Sequence, residues 1–498
     1  MNLATLIDPH PDGAVALISR GQPTTYGLLR HQTGSLRAGL VGLGLEPGDR
    51  VGIVCGSNWY FVASYLAVLG AGLVAVPLNP TSPPRELEDQ LATVGARAVI
   101  VGPTGRAAFD GVDRGALGAL QHVVVTEHAG EGTVPLDDLL ATEPAAPVVD
   151  RGADDLAVLL FTSGTAGFPK AAMLSHGNLL ANIDQLQASP DRRQTADDVS
   201  LGVLPLFHIF GLNVVLGVSL AAGSRVVLIE RFDPTSALEA IARHGVTIVP
   251  GAPAMWTAWS SLPDAPADAF ATVRVAASGA ARLPLDVVTA CRQRYGIDIT
   301  EGYGLTEASP VVTSATGAAN FKPGSIGAPL PGVQVRLVDL DGEDVLVGDP
   351  GEIWVRGPNV FKGYWDDPEA TAAALTEDGW LRTGDVAVVD DDGDLFLVDR
   401  IKDLIIVSGF NVFPAEVEKV LLEHPAVEQC AVVGVPHPYT GEAVKAYVVV
   451  RPGSSVEEDG LIAFAAEHLA RYKCPEKVMF VDELPVGVSG KVLRRVLD

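Results

Sequence analysis

The stretch Thr162–Lys170 reads TSGTAGFPK and directly follows the apolar run Leu156–Phe161. A buried strand that ends in such a loop presents backbone N–H groups and hydroxyls together, and glycines let the chain turn closely around a ligand. Lys170 adds a positive charge beside them. The spacing departs from the Walker A pattern, in which Gly-Lys-Ser/Thr closes the loop. Taken alone, the stretch is more often an ordinary turn than a polyphosphate site, so the remaining motifs decide between the two.

The chain has 498 residues, which is more than one ordinary domain holds, and this length predicts two or more domains. Its formal net charge of −26 argues against nucleic acid or an anionic membrane as a partner. The four cysteines form no CxxC pair, and the N-terminus has no basic region followed by an apolar core. We therefore expect no disulfide framework, no zinc site, no signal peptide and a cytoplasmic location.

One apolar segment, Phe61–Leu78, is about as long as a membrane span. It is interrupted by Gly70, Gly72 and Pro77 and has no basic flank. We therefore predict a buried helix followed by a buried strand, and no transmembrane segment.

Short β-branched runs alternate with helical stretches over the first two thirds of the chain, which predicts α/β architecture with parallel sheets covered on both faces. From about residue 320 to 400 short strands are divided by turns, which is typical of a small antiparallel or barrel-like region. A compact α+β segment follows. We place the boundary near Arg400–Lys402, between a large domain of residues 1–400 and a small one of residues 401–498.

The segment Glu301–Glu307 reads EGYGLTE. Tyr303, between two glycines, is expected to expose an aromatic face suited to stacking on a base. Thr306 can hydrogen-bond a phosphate, and Glu307 offers a hard oxygen to Mg²⁺. A glycine turn with one satisfied tyrosine is an equally good interpretation of this segment in isolation.

Three further segments carry signals that are weak individually. Asp385, in WLRTGD, follows a tight turn and could accept from both hydroxyls of a ribose. The charged DRIKD and the following SGFNVFPAE suit a hinge, although a solvated linker explains them as well. Lys491 ends the loop PVGVSGK, where a mobile ammonium could stabilise developing negative charge.

Taken together, in this order and spacing, these motifs resemble the adenylate-forming superfamily: acyl-CoA synthetases, luciferases and the adenylation domains of nonribosomal peptide synthetases. The resemblance runs from about residue 10 to the end and is nearest to fatty-acyl and aryl CoA ligases. It implies an N-terminal AMP-binding domain of two stacked α/β subdomains with parallel-rich sheets plus a small β-barrel. A small, mobile α+β C-terminal domain follows, with Lys402 at its hinge.

The resemblance also implies a chemistry. A carboxylate and Mg·ATP form an acyl-AMP and pyrophosphate, the C-terminal domain rotates, and the thiol of CoA displaces AMP. The implied catalytic residues are Lys491, Thr306, Glu307 and His208, with Glu307 at the metal. The implied ATP/AMP-binding residues are Thr162, Ser163, Gly164, Thr165, Lys170, Gly279, Ala280, Ala281, Glu301, Gly302, Tyr303, Gly304, Thr306, Asp385, Arg400 and Lys491. Gly409 and Lys473 are implied for the thiolation step.

The acyl pocket implied by the resemblance involves Phe207, His208, Gly251 and Met255. A lone histidine is more often a satisfied core residue, but His208 follows Phe207 where the family keeps an aromatic gate. Amino-acid-activating relatives carry aspartate there, which counts against an amino-acid substrate. The flanking segments are mainly apolar, contain no lysine or arginine, and include small residues such as Gly251 that are expected to leave room for a substrate. We therefore expect a medium- or long-chain fatty acid, with an aryl acid second.

Alternatives remain open at this point. The acyl group could go to CoA or to the phosphopantetheine arm of an acyl carrier protein acting in trans, and the chain could instead be a non-catalytic relative that binds nucleotide. The phosphate loop departs from many relatives at Ala166, which removes one possible hydrogen bond. Homo-oligomerisation is also undecided.

Overall fold

The computed structural model describes residues 1–127, 130–143, 147–162, 169–189, 193–318, 322–339, 341–400, 403–408, 410–485, 492 and 494–497, except the side chains of residues 399, 400, 411 and 495. The chain forms two compact units. The first comprises Met1–Gln334 and Val355–Leu381, and the second Val335–Trp354 and Arg382–Asp498.

The strands and helices of the first unit alternate along most of its length. Its strands are β1 Val15–Ser19, β2 Gln22–Thr25, β3 Arg50–Val54, β4 Val74–Pro77, β5 Ala98–Val101, β6 His122–Val125, β7 Val134–Pro135, β8 Leu156–Thr162, β9 Lys170–Ser175, β10 Val199–Gly202, β11 Arg225–Leu228, β12 Ile248–Gly251, β13 Val275–Ser278, β14 Ile299–Gly304, β15 Val311–Ser314 and β16 Ala328–Pro329. Its helices are α1 Tyr26–Gly42, α2 Trp59–Gly70, α3 Pro84–Thr93, α4 Arg106–Phe109, α5 Leu136–Leu140, α6 His176–Gln187, α7 Val218–Ala222, α8 Pro234–His244, α9 Pro253–Ser260, α10 Leu285–Tyr295 and α11 Pro368–Ala374. A π-helix spans Phe210–Gly217, and a 3-10 helix spans Thr306–Ala308.

Two sheets organise the first unit. One has seven strands in the order β7-β6-β5-β3-β4-β8-β9, and the other nine in the order β16-β15-β14-β13-β12-β10-β11-β1-β2. The central strands of both pair in parallel, whereas β8–β9 and β14–β15 are antiparallel. Helix α1 contacts β1 and β2 of the nine-stranded sheet and also packs on α2, which covers β3 and β4 of the other. Two α/β layers therefore meet through these helices, as predicted.

The apolar segment Phe61–Leu78 is a buried helix followed by a buried strand. Helix α2 begins after Asn58, whose side chain accepts from the backbone N–H of Phe61 and caps the first turn. All four residues of β4 are buried. Among the described residues, no helix is both long enough and apolar enough to cross a membrane.

The second unit contains most of a four-stranded sheet and all of a five-stranded one. Its strands are β17 Gln334–Val338, β18 Gly351–Arg356, β19 Leu381–Val389, β20 Leu395–Arg400, β21 Ile405–Val407, β22 Phe410–Val412, β23 Val427–His437, β24 Gly441–Val450 and β25 Lys477–Phe480, and its helices are α12 Pro414–Leu422 and α13 Glu458–His468. The region predicted as barrel-like forms the sheet β17-β18-β19-β20. Helices α12 and α13 cover the five-stranded sheet and close an apolar core that includes Val417, Leu421 and Leu461.

The predicted boundary between residues 400 and 401 stays a prediction, since residues 401 and 402 lie outside the described part of the chain. The compact units group the strands β19 and β20 with the C-terminal α+β segment.

Candidate active site

Four adjacent strands of the nine-stranded sheet carry the predicted site segments at their carboxyl ends. Strand β10 is followed by residues 207–208, and β12 ends in residue 251. Strand β13 is followed by residues 279–281, and β14 ends in residues 301–304. Parallel α/β sheets bind ligands at this edge, because the loops that leave it converge there. The fold therefore brings together the segments predicted for the acyl pocket and the adenine side.

The predicted phosphate loop closes a hairpin of the seven-stranded sheet. Thr162 ends β8 and pairs with Lys170, which begins β9. The Thr162 hydroxyl donates to the Lys170 carbonyl at 3.4 Å. Ser163, Gly164 and Thr165 lie outside the described residues.

The Lys170 ammonium lies between an acid and an aromatic ring. Its Nζ is 3.3 Å from Oδ2 of Asp367 and 5.4 Å from the ring centroid of Tyr364, a cation–π distance. Asp367 also caps α11, because its carboxylate accepts from the backbone N–H of Ala370 at 2.8 Å. The hydrogen bond from Ala370 and, to a smaller extent, the hydrogen bond and charge of Lys170 hold the pKa of Asp367 below its usual value.

Thr306 and Glu307 lie on a tight turn that leaves β14. A Cβ on Gly304 would lie 2.3 Å from the carbonyl oxygen of Pro310, so only glycine fits there. Leu305 donates its N–H to the same carbonyl at 3.0 Å. The turn therefore fixes the 3-10 helix that carries Thr306 and Glu307.

Buried amide side chains fasten this turn to the rest of the unit. Asn213, in the π-helix, donates to the carbonyl of Ser309 at 2.7 Å. Asn359 donates to the carbonyl of Ala308 at 2.8 Å and accepts from Gln185 at 3.3 Å. Because satisfied buried amides are costly to disrupt, this network holds the turn in one arrangement.

The carboxylate of Glu307 is held by a residue that carried no motif. The hydroxyl of Tyr364 donates to Glu307 Oε1 at 2.7 Å, and the N–H of Phe361 donates to the Glu307 carbonyl at 2.8 Å. Burial, and then the charge of Glu307, raises the pKa of Tyr364, so its hydroxyl remains a donor at neutral pH. Sequence reasoning missed Tyr364 and Asp367, and only the Asp367-Pro368 pair, a helix-start signal, pointed to either of them.

Glu301 is hydrogen-bonded to the segment that follows Gly279–Ala281, the predicted adenine-side loop. Glu301 Oε2 accepts from the N–H of Leu283 at 3.0 Å, while Oε1 is buried without a hydrogen-bond partner among the described residues. Burial raises the pKa of this carboxyl. Ala280 has φ 71°, a left-handed conformation that is uncommon for a residue with a side chain and that turns the loop.

The expectation that Tyr303 exposes its ring is wrong. Only 7% of Tyr303 is exposed, because β14 continues through Gly304 and pairs with β15, where Tyr303 faces Thr313. The glycines on either side of Tyr303 had indicated a turn, not a continued strand. Its stacking on adenine stays a prediction.

The predicted gate residue His208 follows β10 at the carboxyl edge of the nine-stranded sheet. It is solvent-exposed, and desolvation by the surrounding protein lowers the pKa of its imidazole. The N–H of Phe210 donates to Nδ1 of His208 at 3.3 Å, which assigns the ring proton to Nε2. Phe207 is half-buried beside it. A Cβ on Gly279 would lie 3.0 Å from the ring of Phe210, so this ring rests against the adenine-side loop.

Gly251 makes room for a tryptophan. A Cβ there would lie 2.9 Å from Nε1 of Trp256, which is fully buried and donates to the Ala277 carbonyl at 3.3 Å. Met255 is buried next to it, 6% exposed. The space expected for a substrate at Gly251 is therefore filled by the indole, and the acyl-pocket assignment of both residues stays a prediction.

In the second unit, Asp385 and Arg400 are directly paired across β19 and β20. Asp385 is buried, with 6% of its surface exposed, and its N–H donates to the Thr383 hydroxyl at 3.1 Å. The pairing puts the two residues predicted to contact ribose side by side in the backbone. The side chain of Arg400 lies outside the described part, as do Lys402, Gly409 and Lys491.

Lys473, predicted for the thiolation step, is engaged by an acid. Its Nζ contacts both carboxylate oxygens of Glu416, at 2.7 and 2.8 Å. The neighbouring Tyr472 stacks on Phe410 with ring centroids 4.8 Å apart. A CoA phosphate would have to compete with Glu416 for this ammonium.

The chemistry of Glu307 fits magnesium. Mg²⁺ is usually bound by one or two carboxylates together with substrate phosphates and water, rather than by an all-protein cage. In the described part of the chain, no group of three or more His, Cys, Asp or Glu could hold a metal ion by itself. A single carboxylate such as Glu307 suits a metal that arrives with ATP.

Comparison with known proteins agrees with this geometry. The model of the AMP-binding enzyme family matches residues 6–365, and that of the AMP-binding enzyme C-terminal domain matches residues 416–491. A feruloyl-CoA synthase of Amycolatopsis sp. is 39% identical over 492 residues, 98% of this chain and 95% of the relative. A long-chain-fatty-acid–CoA ligase of Bacillus subtilis is 36% identical over 485 residues, 91% of this chain and 86% of the relative. ATP-bound MatB from Rhodopseudomonas palustris has a TM-score of 0.92 and 35% identity, covering 100% of this chain and 98% of that one.

The chain belongs to the AMP-binding, adenylate-forming enzyme family, which confirms the resemblance and the predicted fold. Within that family it is an acyl-CoA synthetase, an ATP-dependent acid–thiol ligase that uses ATP, Mg²⁺ and CoA. Its substrates are a small-molecule carboxylic acid and CoA.

Proposed function

We propose that the acid is a monocarboxylic acid with an apolar tail, a medium- or long-chain fatty acid in the first place. The observation that carries this proposal is the composition of the segments at the carboxyl edge of the nine-stranded sheet. Residues 209–216 read IFGLNVVL and residues 309–312 read SPVV, with no lysine or arginine to bind a second carboxylate. The identity of 36% to a long-chain-fatty-acid–CoA ligase supports the same class.

The proposed reaction has two steps. A carboxylate oxygen of the acid forms a bond to the α-phosphorus of ATP, and the bond to pyrophosphate breaks. The CoA sulfur then bonds to the acyl carbon, AMP leaves with the bonding pair of its oxygen, and the thiol proton passes to solvent. Magnesium, when bound, neutralises part of the phosphate charge.

Four described site residues and Lys491 have proposed parts in the first step. Lys170 and Thr162 hold the departing pyrophosphate, so Lys170 would exchange Asp367 for phosphate oxygens. Glu307 holds the metal, with Thr306 beside it on the α-phosphate. Lys491 offsets the negative charge that builds up as the carboxylate meets the α-phosphate.

The nucleoside is proposed to lie along three segments. Gly279–Ala281 and Glu301–Gly304 border adenine, with Tyr303 stacking on the base. Asp385 accepts hydrogen bonds from the ribose hydroxyls, and Arg400 donates to them. These assignments rest on the strand order for the first two segments and on the β19–β20 pairing for the ribose pair.

His208 is proposed to gate the acyl pocket as a neutral imidazole. Its Nε2–H, fixed by the bond from Phe210 to Nδ1, points a donor rather than a positive charge at the acid's carboxylate. A neutral donor orients a carboxylate without holding it as tightly as an ion pair would, which leaves it reactive.

An aryl acid is the second candidate, supported by the identity of 39% to a feruloyl-CoA synthase. The ring of Phe210 against Gly279 also suits a flat substrate, which could stack on it.

A carrier-protein phosphopantetheine remains a further candidate acceptor beside CoA. We further propose a cytoplasmic location and leave a homo-oligomer as a possible assembly.

Pyrophosphate release from Mg·ATP tests the proposed substrate class directly. Short, medium and long straight-chain fatty acids, hydroxycinnamic and benzoic acids, a dicarboxylic acid and an amino acid form the panel, each with and without CoA. We expect the highest kcat/KM with a medium- or long-chain fatty acid. A preference for a hydroxycinnamic acid would favour the second candidate, and a preference for the dicarboxylic or amino acid would refute an apolar pocket.

A further inference from the structure

We propose that Tyr364 is a positioning residue for the metal-binding carboxylate, a role that rests on the assignment of Glu307 in the proposed function. Its hydroxyl fixes the orientation of Glu307, and its ring borders Lys170. One side chain thereby links the metal site to the phosphate loop.

The segment around Tyr364 is anchored to the strand that begins at Lys170. The N–H of Met173 donates to the carbonyl of Gly363 at 2.9 Å, and the N–H of Lys362 donates to the carbonyl of Met173 at 2.9 Å. Trp365 donates its N–H to the carbonyl of Ala171 at 2.8 Å. Tyr364 therefore occupies a strand-like position beside β9, and its backbone cannot shift without moving the base of the phosphate loop.

The same segment donates two hydrogen bonds to Glu307. The Tyr364 hydroxyl donates to Glu307 Oε1 at 2.7 Å, while the Phe361 N–H donates to the Glu307 carbonyl at 2.8 Å. One bond fixes the backbone of Glu307 and the other its carboxylate. Because a carboxylate oxygen can accept from more than one partner, the hydroxyl can remain in place when a cation binds.

The two ends of the Tyr364 side chain make different contacts. The hydroxyl donates to Glu307 Oε1 at 2.7 Å, since an ionised carboxylate can only accept. The ring keeps its electron-rich face within 5.4 Å of the Lys170 ammonium. Tyr364 thus contacts the proposed metal carboxylate through its hydroxyl and the proposed phosphate lysine through its ring, without itself touching substrate.

Tyr364→Phe removes the hydroxyl and keeps the ring, so it isolates the first contact. Tyr295→Phe is the matched control, because the Tyr295 hydroxyl also donates a buried hydrogen bond, to the Trp259 carbonyl at 2.6 Å, away from the site. Calorimetric titration of the full-length enzyme with ATP, without acid, is carried out in Mg²⁺ and again in EDTA. This readout does not depend on turnover.

We expect Tyr364→Phe to weaken ATP binding about ten-fold in Mg²⁺, the loss of one hydrogen bond to a charged group, and to leave binding in EDTA unchanged. Tyr295→Phe should match the wild type in both. In a Glu307→Ala background, Tyr364→Phe should add nothing.

Wild-type affinity of Tyr364→Phe in Mg²⁺, or an equal loss in Mg²⁺ and EDTA, would overturn the positioning role alone. A wild-type enzyme whose ATP affinity did not respond to Mg²⁺ would instead overturn the assignment of Glu307, and the role of Tyr364 with it.

Discussion

The Tyr364 hydroxyl donates to the Glu307 carboxylate across 2.7 Å, although the two residues are 57 positions apart in the sequence. Glu307 follows a strand of the nine-stranded sheet, and Tyr364 lies beside β9 of the seven-stranded sheet. The hydrogen bond therefore joins the two sheets at the point where the predicted metal and phosphate residues meet. Activity should depend on this junction as well as on the motif residues.

Removing the charge of Asp367 should strengthen the binding of ATP. Asp367→Asn keeps an N-cap for α11, since asparagine caps helices as well as aspartate does, but it releases the Lys170 ammonium from its ion pair. We expect a KM for Mg·ATP several-fold lower and little change in the free energy of unfolding, because the ion pair is partly exposed to solvent.

Asp233→Asn provides the control for Asp367→Asn. Asp233 also caps a helix that begins with proline, α8, by accepting from the N–H of Ser236 at 2.8 Å. Its replacement should leave the KM for Mg·ATP unchanged. An unchanged or raised KM in Asp367→Asn would show that Asp367 does not compete with phosphate for Lys170.

Glu301→Gln should raise the free energy of unfolding at pH 7.5. Burial raises the folded-state pKa of Glu301 above its unfolded value, so any stability from this group is complete below the unfolded pKa and is lost as pH rises through the folded pKa. Glutamine can still accept from Leu283 and carries no charge to bury. The advantage over wild type should shrink as the pH falls towards the unfolded pKa of a carboxyl, about 4.3.

Urea unfolding across this pH range measures the effect of Glu301→Gln, with Glu239→Gln on the exposed face of α8 as the control. A variant less stable than wild type at pH 7.5 would mean that the Glu301 carboxylate is stabilised by a cation.

His176 should make the fold sensitive to mild acid. It is fully buried, and its Nδ1 accepts from the N–H of Leu3 at 3.1 Å. Burial, and then the charge of Arg151, lowers its pKa to about 4. Because the unfolded imidazole binds its proton near pH 6.5, stability is constant above that pH and falls between 6.5 and 4, by at most about 1.4 kcal/mol per pH unit.

His176→Asn keeps an acceptor for Leu3 and removes the titration. Between pH 6.5 and pH 4, its free energy of unfolding should fall less steeply than that of wild type. The difference in slope corresponds to the uptake of up to one proton on unfolding. The exposed His31→Asn serves as the control for replacing a histidine by asparagine at the surface. Identical slopes for wild type and His176→Asn would show that His176 is protonated in the folded state.

Lys491→Ala should separate the two half-reactions. The proposed role of Lys491 is to offset charge during adenylation, so the variant should lose pyrophosphate release by two or more orders of magnitude, about the effect of one transition-state donor. Thiolation of supplied acyl-AMP by CoA should largely persist. Equal loss of both half-reactions would contradict this role.

Much of the fold and part of the site could be predicted from the sequence. Buried β-branched runs alternating with helices identify parallel strands, and glycine-rich segments after them place Gly279 and Gly304 at one sheet edge. The exposure of Tyr303 could not be predicted, because β14 is extended by pairing with β15, a contact made by the fold. Gly251 was expected to leave space for substrate, whereas Trp256, five residues later, returns to fill it.

Tyr364 shows why the rest of the site was missed. Its hydroxyl contact depends on the packing of a segment against β9, and no local pattern of residues encodes that contact. Asp367 was within reach of sequence reasoning as a helix cap, but its ion pair with Lys170 was not. Motifs indicate which residues touch the ligand, whereas the residues that hold them emerge from tertiary packing.

A single-turnover experiment tests the two-step ligase most directly. The enzyme is mixed with a smaller amount of Mg·ATP and the best acid of the panel, and the reaction is quenched at a series of times. This is done first without CoA and then after CoA is added. The nucleotides and acyl species are identified by mass spectrometry. The two-step account predicts acyl-AMP and pyrophosphate in equal amounts before CoA is added, and the conversion of the acyl-AMP alone to acyl-CoA and AMP afterwards. Acyl-AMP that CoA failed to discharge, or AMP formed only with CoA and without an acyl-AMP intermediate, would contradict it.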